Sequence, residues 1–184
     1  MPVPGLVDRL LLMNNLADQK GTVARSSDMS IVTWDDKFAT GIELIDNQHR
    51  QLVHLTNELY RACRMGNETL QTVFKESMGR MVDYVRFHFR AELEILQSIQ
   101  YPDYAAHKNE HDTLVKNILD AAKDHNEGKK FIPNSFVRTL KDWVFGHIAV
   151  TDRLYALYVA DQKRKGLLSD QDILNYSLAA KGSA

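Results

Sequence analysis

Apolar residues recur at intervals of three and four along most of the chain, which is the spacing of one face of an α-helix. The pattern breaks near Gly66, Pro102 and Pro133, residue types that end helices. The sequence therefore predicts four long helices, over residues 46–64, 68–99, 103–128 and 135–163.

Four amphipathic helices with short connections favour antiparallel neighbours. We predict an all-α fold, an up-down antiparallel four-helix bundle over residues 31–163 with short N- and C-terminal extensions. Residues 1–30 form an N-terminal extension and linker, either a disordered tail or a short helix that docks on a partner or a second subunit. Residues 164–184 form a C-terminal tail, in which Ser169 begins a capping-box pattern for a short helix. The N-terminal helix would carry Leu6, Leu10, Met13 and Leu16.

Composition and charge narrow the class of protein. A net charge of −1 gives no electrostatic attraction to nucleic acid or to an anionic membrane. The single cysteine, Cys63, excludes an internal disulfide, and no stretch approaches the ~20 apolar residues that span a bilayer. The apolar run at residues 10–13 lacks the flanking features of a signal peptide. We therefore expect a cytoplasmic protein.

Polar residues interrupt the apolar faces of all four predicted helices. Burying such groups costs several kcal/mol each unless they are paired or bound to a metal. One core histidine is unremarkable, but six such groups on facing helices indicate a metal site. The alternative is a helical bundle that binds no metal. The six are His49, His88, Glu92, His107, His111 and His147.

The spacing of these residues supports metal binding. His88 and Glu92 are four residues apart, as are His107 and His111, so each pair projects from one helix face. No cysteine belongs to the set, which argues against structural zinc or an iron–sulfur cluster. Imidazole and carboxylate ligands suit iron, manganese, zinc or copper, and a bundle core can hold two metals. The spacing alone decides neither the metal nor the number of ions.

Four motifs resemble those of the hemerythrins, most closely the single-domain bacteriohemerythrins. Together they cover roughly residues 34–158. They are the segment from Trp34 to His49, His88-Phe89 followed by Glu92, Tyr101-Pro102 followed by His107 and His111, and Trp143 followed by His147-Ile148 and Asp152.

The resemblance implies a di-iron centre with a complete ligand set. His107, His111 and His147 would bind one iron, and His49 and His88 the other. Glu92 and Asp152 would bridge the two Fe2+/Fe3+ ions together with an oxo or hydroxo group, and O2 would bind at the iron with two histidines. In a regular α-helix, Asp152 lies about 140° around the axis from His147, so its assignment comes from the resemblance.

The resemblance also implies an apolar O2 pocket. Ordinary core packing is the alternative role of each of its residues. The matching positions are Leu52, Phe89, Trp143, Ile148 and Val150.

These observations leave several functions open. The first is reversible O2 binding for storage, transport or scavenging, by a protein that is not an enzyme. The second is an O2 or redox sensor that signals through its terminal extensions, with a protein partner or self-association through residues 1–30 or 164–184. The third is a di-iron peroxidase or a nitric-oxide-handling enzyme, although no additional acid–base residue is evident beside the predicted centre.

Overall fold

The structure, a computed structural model, describes residues 30–64, 67–127 and 133–182, and these are helical with no β-strand. The first helix packs on the second and the fourth, and the second packs on the third. His111 of the third helix contacts His147 of the fourth, which closes an up-down bundle. The predicted all-α bundle is confirmed. The elements are a 3-10 turn (Asp36–Phe38), α1 (Glu43–Ala62), α2 (Asn67–Ser98), α3 (Tyr104–Asn126), α4 (Pro133–Gly146), a π-turn (His147–Thr151), α5 (Asp152–Arg164) and α6 (Asp170–Gly182).

The fourth bundle helix differs from its prediction, because α4, the π-turn and α5 follow one another without a break. A π-turn contains one more residue than an α-helical turn, so the apolar face beyond it moves by one position. Spacing of three and four residues continued past His147 predicts Leu154 on the inner face, but Leu154 is 53% exposed and Tyr155 is fully buried. The predicted inner face is therefore correct before the π-turn and wrong by one residue after it.

Two apolar clusters fill the bundle, and a layer of polar residues separates them. The upper cluster includes Leu59, Met81 and Ile118, and the lower cluster includes Ile45 and Ile95. The predicted metal ligands lie where these clusters meet, as His49 does between Ile45 of the lower cluster and Leu52 of the upper cluster. The fold therefore surrounds the polar layer with apolar side chains on both sides.

The segment that precedes α1 is held by the buried amide of Asn57. Its Oδ1 accepts hydrogen bonds from the backbone N–H groups of Ile31 and Val32, at 2.9 and 3.0 Å, and its Nδ2 donates to the Val32 carbonyl at 2.8 Å. This one side chain satisfies three backbone groups that no secondary structure pairs.

The first prediction concerns this contact. Asn57→Ala is expected to lower the free energy of unfolding by ~1–3 kcal/mol, because it leaves buried backbone groups without partners. Urea denaturation of the metal-free protein measures the change. The matched control is Asn47→Ala, because Asn47 is exposed and its side chain accepts a hydrogen bond from the exposed Arg50, so a change within ~0.5 kcal/mol is expected. Equal losses in the two variants would contradict the prediction.

The C-terminal helix α6 lies outside the four-helix bundle and packs against α2 through its buried residues Ile173, Ser177 and Ala180. The backbone N–H of Asp172 donates to Ser169 Oγ at 3.1 Å, while Asp172 Oδ2 accepts from the Ser169 N–H at 2.8 Å. The predicted capping-box start is confirmed.

The proposed N-terminal helix lies outside the described residues, and the division at residues 30 and 163 stays a prediction. Among the described helices, none combines the length and apolarity that a membrane crossing requires.

The chain's one cysteine is half-buried just after α1, and burial raises the pKa of the Cys63 thiol to about 11. The thiolate is the reactive form, so native protein should react with Ellman's reagent at pH 8 roughly 20-fold more slowly than urea-unfolded protein, whose cysteine has a pKa near ~8.5. The logarithm of the native rate should rise with pH up to about 10 without a plateau. A plateau near pH 9 would contradict this prediction.

Candidate metal centre

Each bundle helix contributes ligand candidates to one layer, and no candidate is more than 3% exposed. All five imidazoles turn Nε2 towards the two carboxylates of the layer. Burial of this many polar groups costs free energy unless they are hydrogen-bonded, paired or bound to a metal. The structure brings together the full predicted set: His49, His88, Glu92, His107, His111, His147 and Asp152.

The larger of two overlapping groups contains three histidines from α3 and the π-turn. Nε2 of His111 and of His107 lie 3.1 and 3.2 Å from Oε2 of Glu92. Nε2 of His147 lies 3.1 Å from Oδ1 of Asp152 and 2.8 Å from Nε2 of His111. Three nitrogens and two carboxylate oxygens therefore face a common point.

The smaller group contains His49, His88 and Glu92. Nε2 of His88 lies 4.0 Å from the same Oε2 of Glu92 that faces the larger group. Asp152 also connects the groups, because its Oδ2 lies 3.2 Å from Nε2 of His49 while its Oδ1 faces His147. Both carboxylates are therefore placed to be shared between two ions.

The π-turn explains how Asp152 reaches the layer. The backbone N–H of Asp152 donates to the carbonyl of His147, five residues earlier, where an α-helix would bond residues four apart. This wider turn brings two residues with a five-residue separation onto one face. The 140° offset expected for a regular helix is absent, so both side chains point into the bundle.

Buried atoms without hydrogen bonds indicate that these groups fit a metal. Neither carboxylate oxygen of Asp152 makes a hydrogen bond within the described part of the chain, although Nε2 of His49 and of His147 lie within 3.2 Å of them. These nitrogen and oxygen atoms are close together but are not aligned for hydrogen bonds with each other. They face common points, as the ligands of a metal ion do. Nitrogen and oxygen donors without thiolate suit iron and neighbouring divalent metals.

Three further side chains orient the candidate ligands. Nδ1 of His147 lies 2.9 Å from Glu110 Oε2, and Nδ1 of His88 lies 3.0 Å from Gln48 Oε1. These oxygens can only accept, so each Nδ1 carries a proton, and in the neutral imidazole each Nε2 has a free lone pair for a metal. Tyr155 donates from its hydroxyl to Glu92 Oε1 at 2.7 Å, which leaves Oε2 towards the histidines.

Electrostatics within the layer favour positive charge beside the carboxylates. Burial alone would lower the pKa of His147, but the carboxylates of Asp152, Glu92 and Glu110 raise it to about 9. Burial lowers the pKa of His88 to about 3, because the attraction of Glu92 at 4.0 Å is too weak to offset the loss of solvation. The field of the carboxylates thus favours a cation at the larger group.

Four of the five predicted pocket residues lie in or against the core. Leu52, Phe89 and Ile148 are buried, and the half-buried ring of Trp143 packs on the upper cluster. Phe89 stacks on His111 with ring centroids 3.6 Å apart, and Trp143 stacks on His147 at 4.3 Å. The prediction for Val150 is wrong, because its position in the π-turn leaves it 62% exposed.

Sequence reasoning missed the three orienting residues. Glu110 has a side chain that is 47% exposed, and an acid on a helix surface carries no signal of its own. Gln48 precedes His49 and resembles an ordinary polar residue at the start of a helix. Tyr155 would have been found only by allowing an extra residue after His147.

Comparisons with known proteins agree with this geometry. The family profile described as "Hemerythrin HHE cation binding domain" matches residues 40–158. A bacteriohemerythrin of Methylococcus capsulatus is 32% identical over 128 residues, covering 69% of this chain and 95% of that protein. One of Stenotrophomonas maltophilia is 30% identical, covering 70% and 81%. A solved structure of wild-type hemerythrin is 31% identical with a TM-score of 0.64, covering 68% and 95%. The matched profile includes all seven ligand candidates and ends before α6.

Proposed function

The chain belongs to the hemerythrin family, and we propose that it binds O2 reversibly at a pair of iron ions. In this proposal His107, His111 and His147 hold one iron, His49 and His88 hold the other, and Glu92 and Asp152 are shared. When bound, the two irons supply the two electrons that O2 takes up on binding and returns on release. The protein would store, deliver or scavenge O2 in the cytoplasm.

The observation that carries the proposal is the pair of shared carboxylates within five inward-facing imidazoles. Asp152 presents one oxygen to each histidine group, and Glu92 presents Oε2 to both. Because the imidazoles are neutral ligands, the set supplies little negative charge, which limits stabilisation of highly oxidised iron. This composition favours reversible binding over cleavage of the O–O bond.

The surrounding residues protect such a centre from water. Phe89 and Trp143 place aromatic faces against two of the ligands, and Leu52 and Ile148 are part of the upper apolar cluster. A dry site limits the supply of protons that would release reduced oxygen and leave oxidised iron behind. These residues therefore support reversible binding.

An optical titration tests the proposal. Protein loaded with Fe2+ under anaerobic conditions should hold two irons per chain by metal analysis. Its visible spectrum should gain absorption on exposure to air and lose it when O2 is removed, over repeated cycles. Chelator-treated protein is the control and should show no change. Fewer than two irons, or an irreversible spectral change, would count against the proposal, and rapid turnover with peroxide or nitric oxide would favour an enzyme.

One contact favours a sensor as the second candidate. Tyr155, which donates to Glu92, belongs to the same lower apolar cluster as Ile173 and Ala180 of α6. A change in Glu92 on O2 binding could therefore reach the C-terminal helix through packed side chains. Hydrogen exchange of α6 should then differ between O2-free and O2-bound protein, and equal protection in both forms would disfavour a sensor.

A further inference from the structure

The two predicted subsites have different chemical groups behind their histidines. The Nδ1–H of His147 donates to Glu110, a carboxylate, and the Nδ1–H of His88 donates to Gln48, a neutral amide. Within the described residues, Nδ1 of His107 and of His111 has no hydrogen-bond partner. Nδ1 of His49 has none either. Each subsite therefore has a single histidine with a side-chain partner, and these partners differ in charge.

A second hydrogen bond holds the carboxylate of Glu110 in position. The hydroxyl of Thr151, in the π-turn, donates to the same Oε2 of Glu110 at 2.9 Å. Oε2 therefore receives two hydrogen bonds from two residues of the π-turn. Gln48, in contrast, is 4% exposed, and its Nε2 has no partner among the described residues. The carboxylate is a fixed feature of the larger group, with its other side in solvent.

A carboxylate partner makes an imidazole a stronger donor than an amide does. Negative charge at Nδ1–H raises the electron density at Nε2 and strengthens its bond to a cation, and partners of this kind are worth ~10–100-fold in metal affinity. The interaction is a direct 2.9 Å hydrogen bond to a buried imidazole, so solvent screening of the exposed side of Glu110 weakens it only in part.

We propose that Glu110 and Gln48 give the two subsites unequal metal affinities and thereby order their filling. The subsite of His107, His111 and His147 takes the first ion and holds it more tightly. The subsite of His49 and His88 fills second and loses its ion first. Glu110 acts through His147, so it is a positioning residue. The inference rests on the proposed two-metal function.

Titration of metal-free protein with Co2+ tests the proposal without any O2 chemistry. Wild-type protein should bind two Co2+ in two resolved steps. Glu110→Gln, which changes only the carboxylate to an amide, should weaken the first step ~10–100-fold and change the second less than ~3-fold. Gln48→Glu should instead strengthen the second step. Thr151→Val, which removes the hydroxyl that orients Glu110, should weaken the first step to a smaller extent.

A spectroscopic measurement separates this role from a structural one. In Co2+-loaded protein, the Nδ1–H of His147 should give an exchangeable, paramagnetically shifted NMR signal that moves in Glu110→Gln, while the corresponding His88 signal stays in place. Asp120→Asn is the matched control, because Asp120 is an exposed acid of the same helix that pairs with Lys116. It should leave both binding steps and both signals unchanged.

The outcomes are distinguishable. Wild-type protein that binds fewer than two Co2+ would remove the proposed function and this inference with it. Two bound Co2+ with both steps equally weakened, or neither weakened, in Glu110→Gln would overturn the ordering while leaving the proposed function intact. If Gln48→Glu does not fold by circular dichroism, Glu110→Gln and Thr151→Val decide the result.

Discussion

Glu92→Gln is expected to leave the protein folded but almost without iron, which is a larger loss than removal of any single histidine should cause. Glu92 belongs to both groups of ligand candidates, and its Oε2 is within 3.2 Å of two imidazoles of the larger group. The substitution keeps the shape of the side chain and the contact with Tyr155 but removes the negative charge shared by the two ions. Iron analysis after anaerobic reconstitution measures the effect.

Two comparisons make this result specific to a shared ligand. Glu94→Gln applies the same chemical change two residues away on α2, where the side chain belongs to neither group, and should retain the wild-type iron content. His88→Ala removes a ligand of the smaller group only and should leave about half of the iron. If Glu92→Gln retained as much iron as His88→Ala, Glu92 would not be shared, and the proposed arrangement would need to be revised.

Most of this site could be predicted from sequence, because the spacing of helix residues carries the information. His49, His88, Glu92, His107 and His111 lie at positions that regular α-helices turn inwards, so polar residues there stand out against apolar neighbours. His147 is the first residue of the π-turn, so the regular spacing of α4 still predicts its position. The bundle follows from the same periodicity.

The other features of the site depend on geometry that the periodicity of the sequence does not predict. Asp152 and Tyr155 become inward-facing only because the helix widens after Gly146, and no residue type in the segment 147–151 requires a π-turn. The family resemblance predicts Val150 in the pocket, but its position in the π-turn leaves its side chain exposed. Glu110 and Gln48 act through hydrogen bonds to ligands from other helices, and such contacts exist only after the bundle has formed.

The π-turn also leads to the second large prediction, which compares two one-residue deletions. Deletion of Val150 is expected to be tolerated, with the wild-type iron content retained. It shortens the separation of His147 and Asp152 to four residues, which is about one turn of a regular α-helix. Asp152, Tyr155 and Val159 therefore still point into the bundle. Val150 is 62% exposed, so the deletion leaves the core packing intact.

Deletion of Leu154 is the matched control, because this residue is 53% exposed and lies only four positions further along. After this deletion, the helix cannot point both Asp152 and Tyr155 into the bundle. If the π-turn persists, Tyr155 and Val159 rotate about 100° out of the core, at a cost of ~3–5 kcal/mol or more. If the π-turn becomes α-helical, Tyr155 returns to the core but Asp152 rotates off the metal layer, and iron is lost. Urea denaturation and iron analysis distinguish these two results. Equal tolerance of both deletions would mean that the extra residue of the π-turn does not set the register of Asp152.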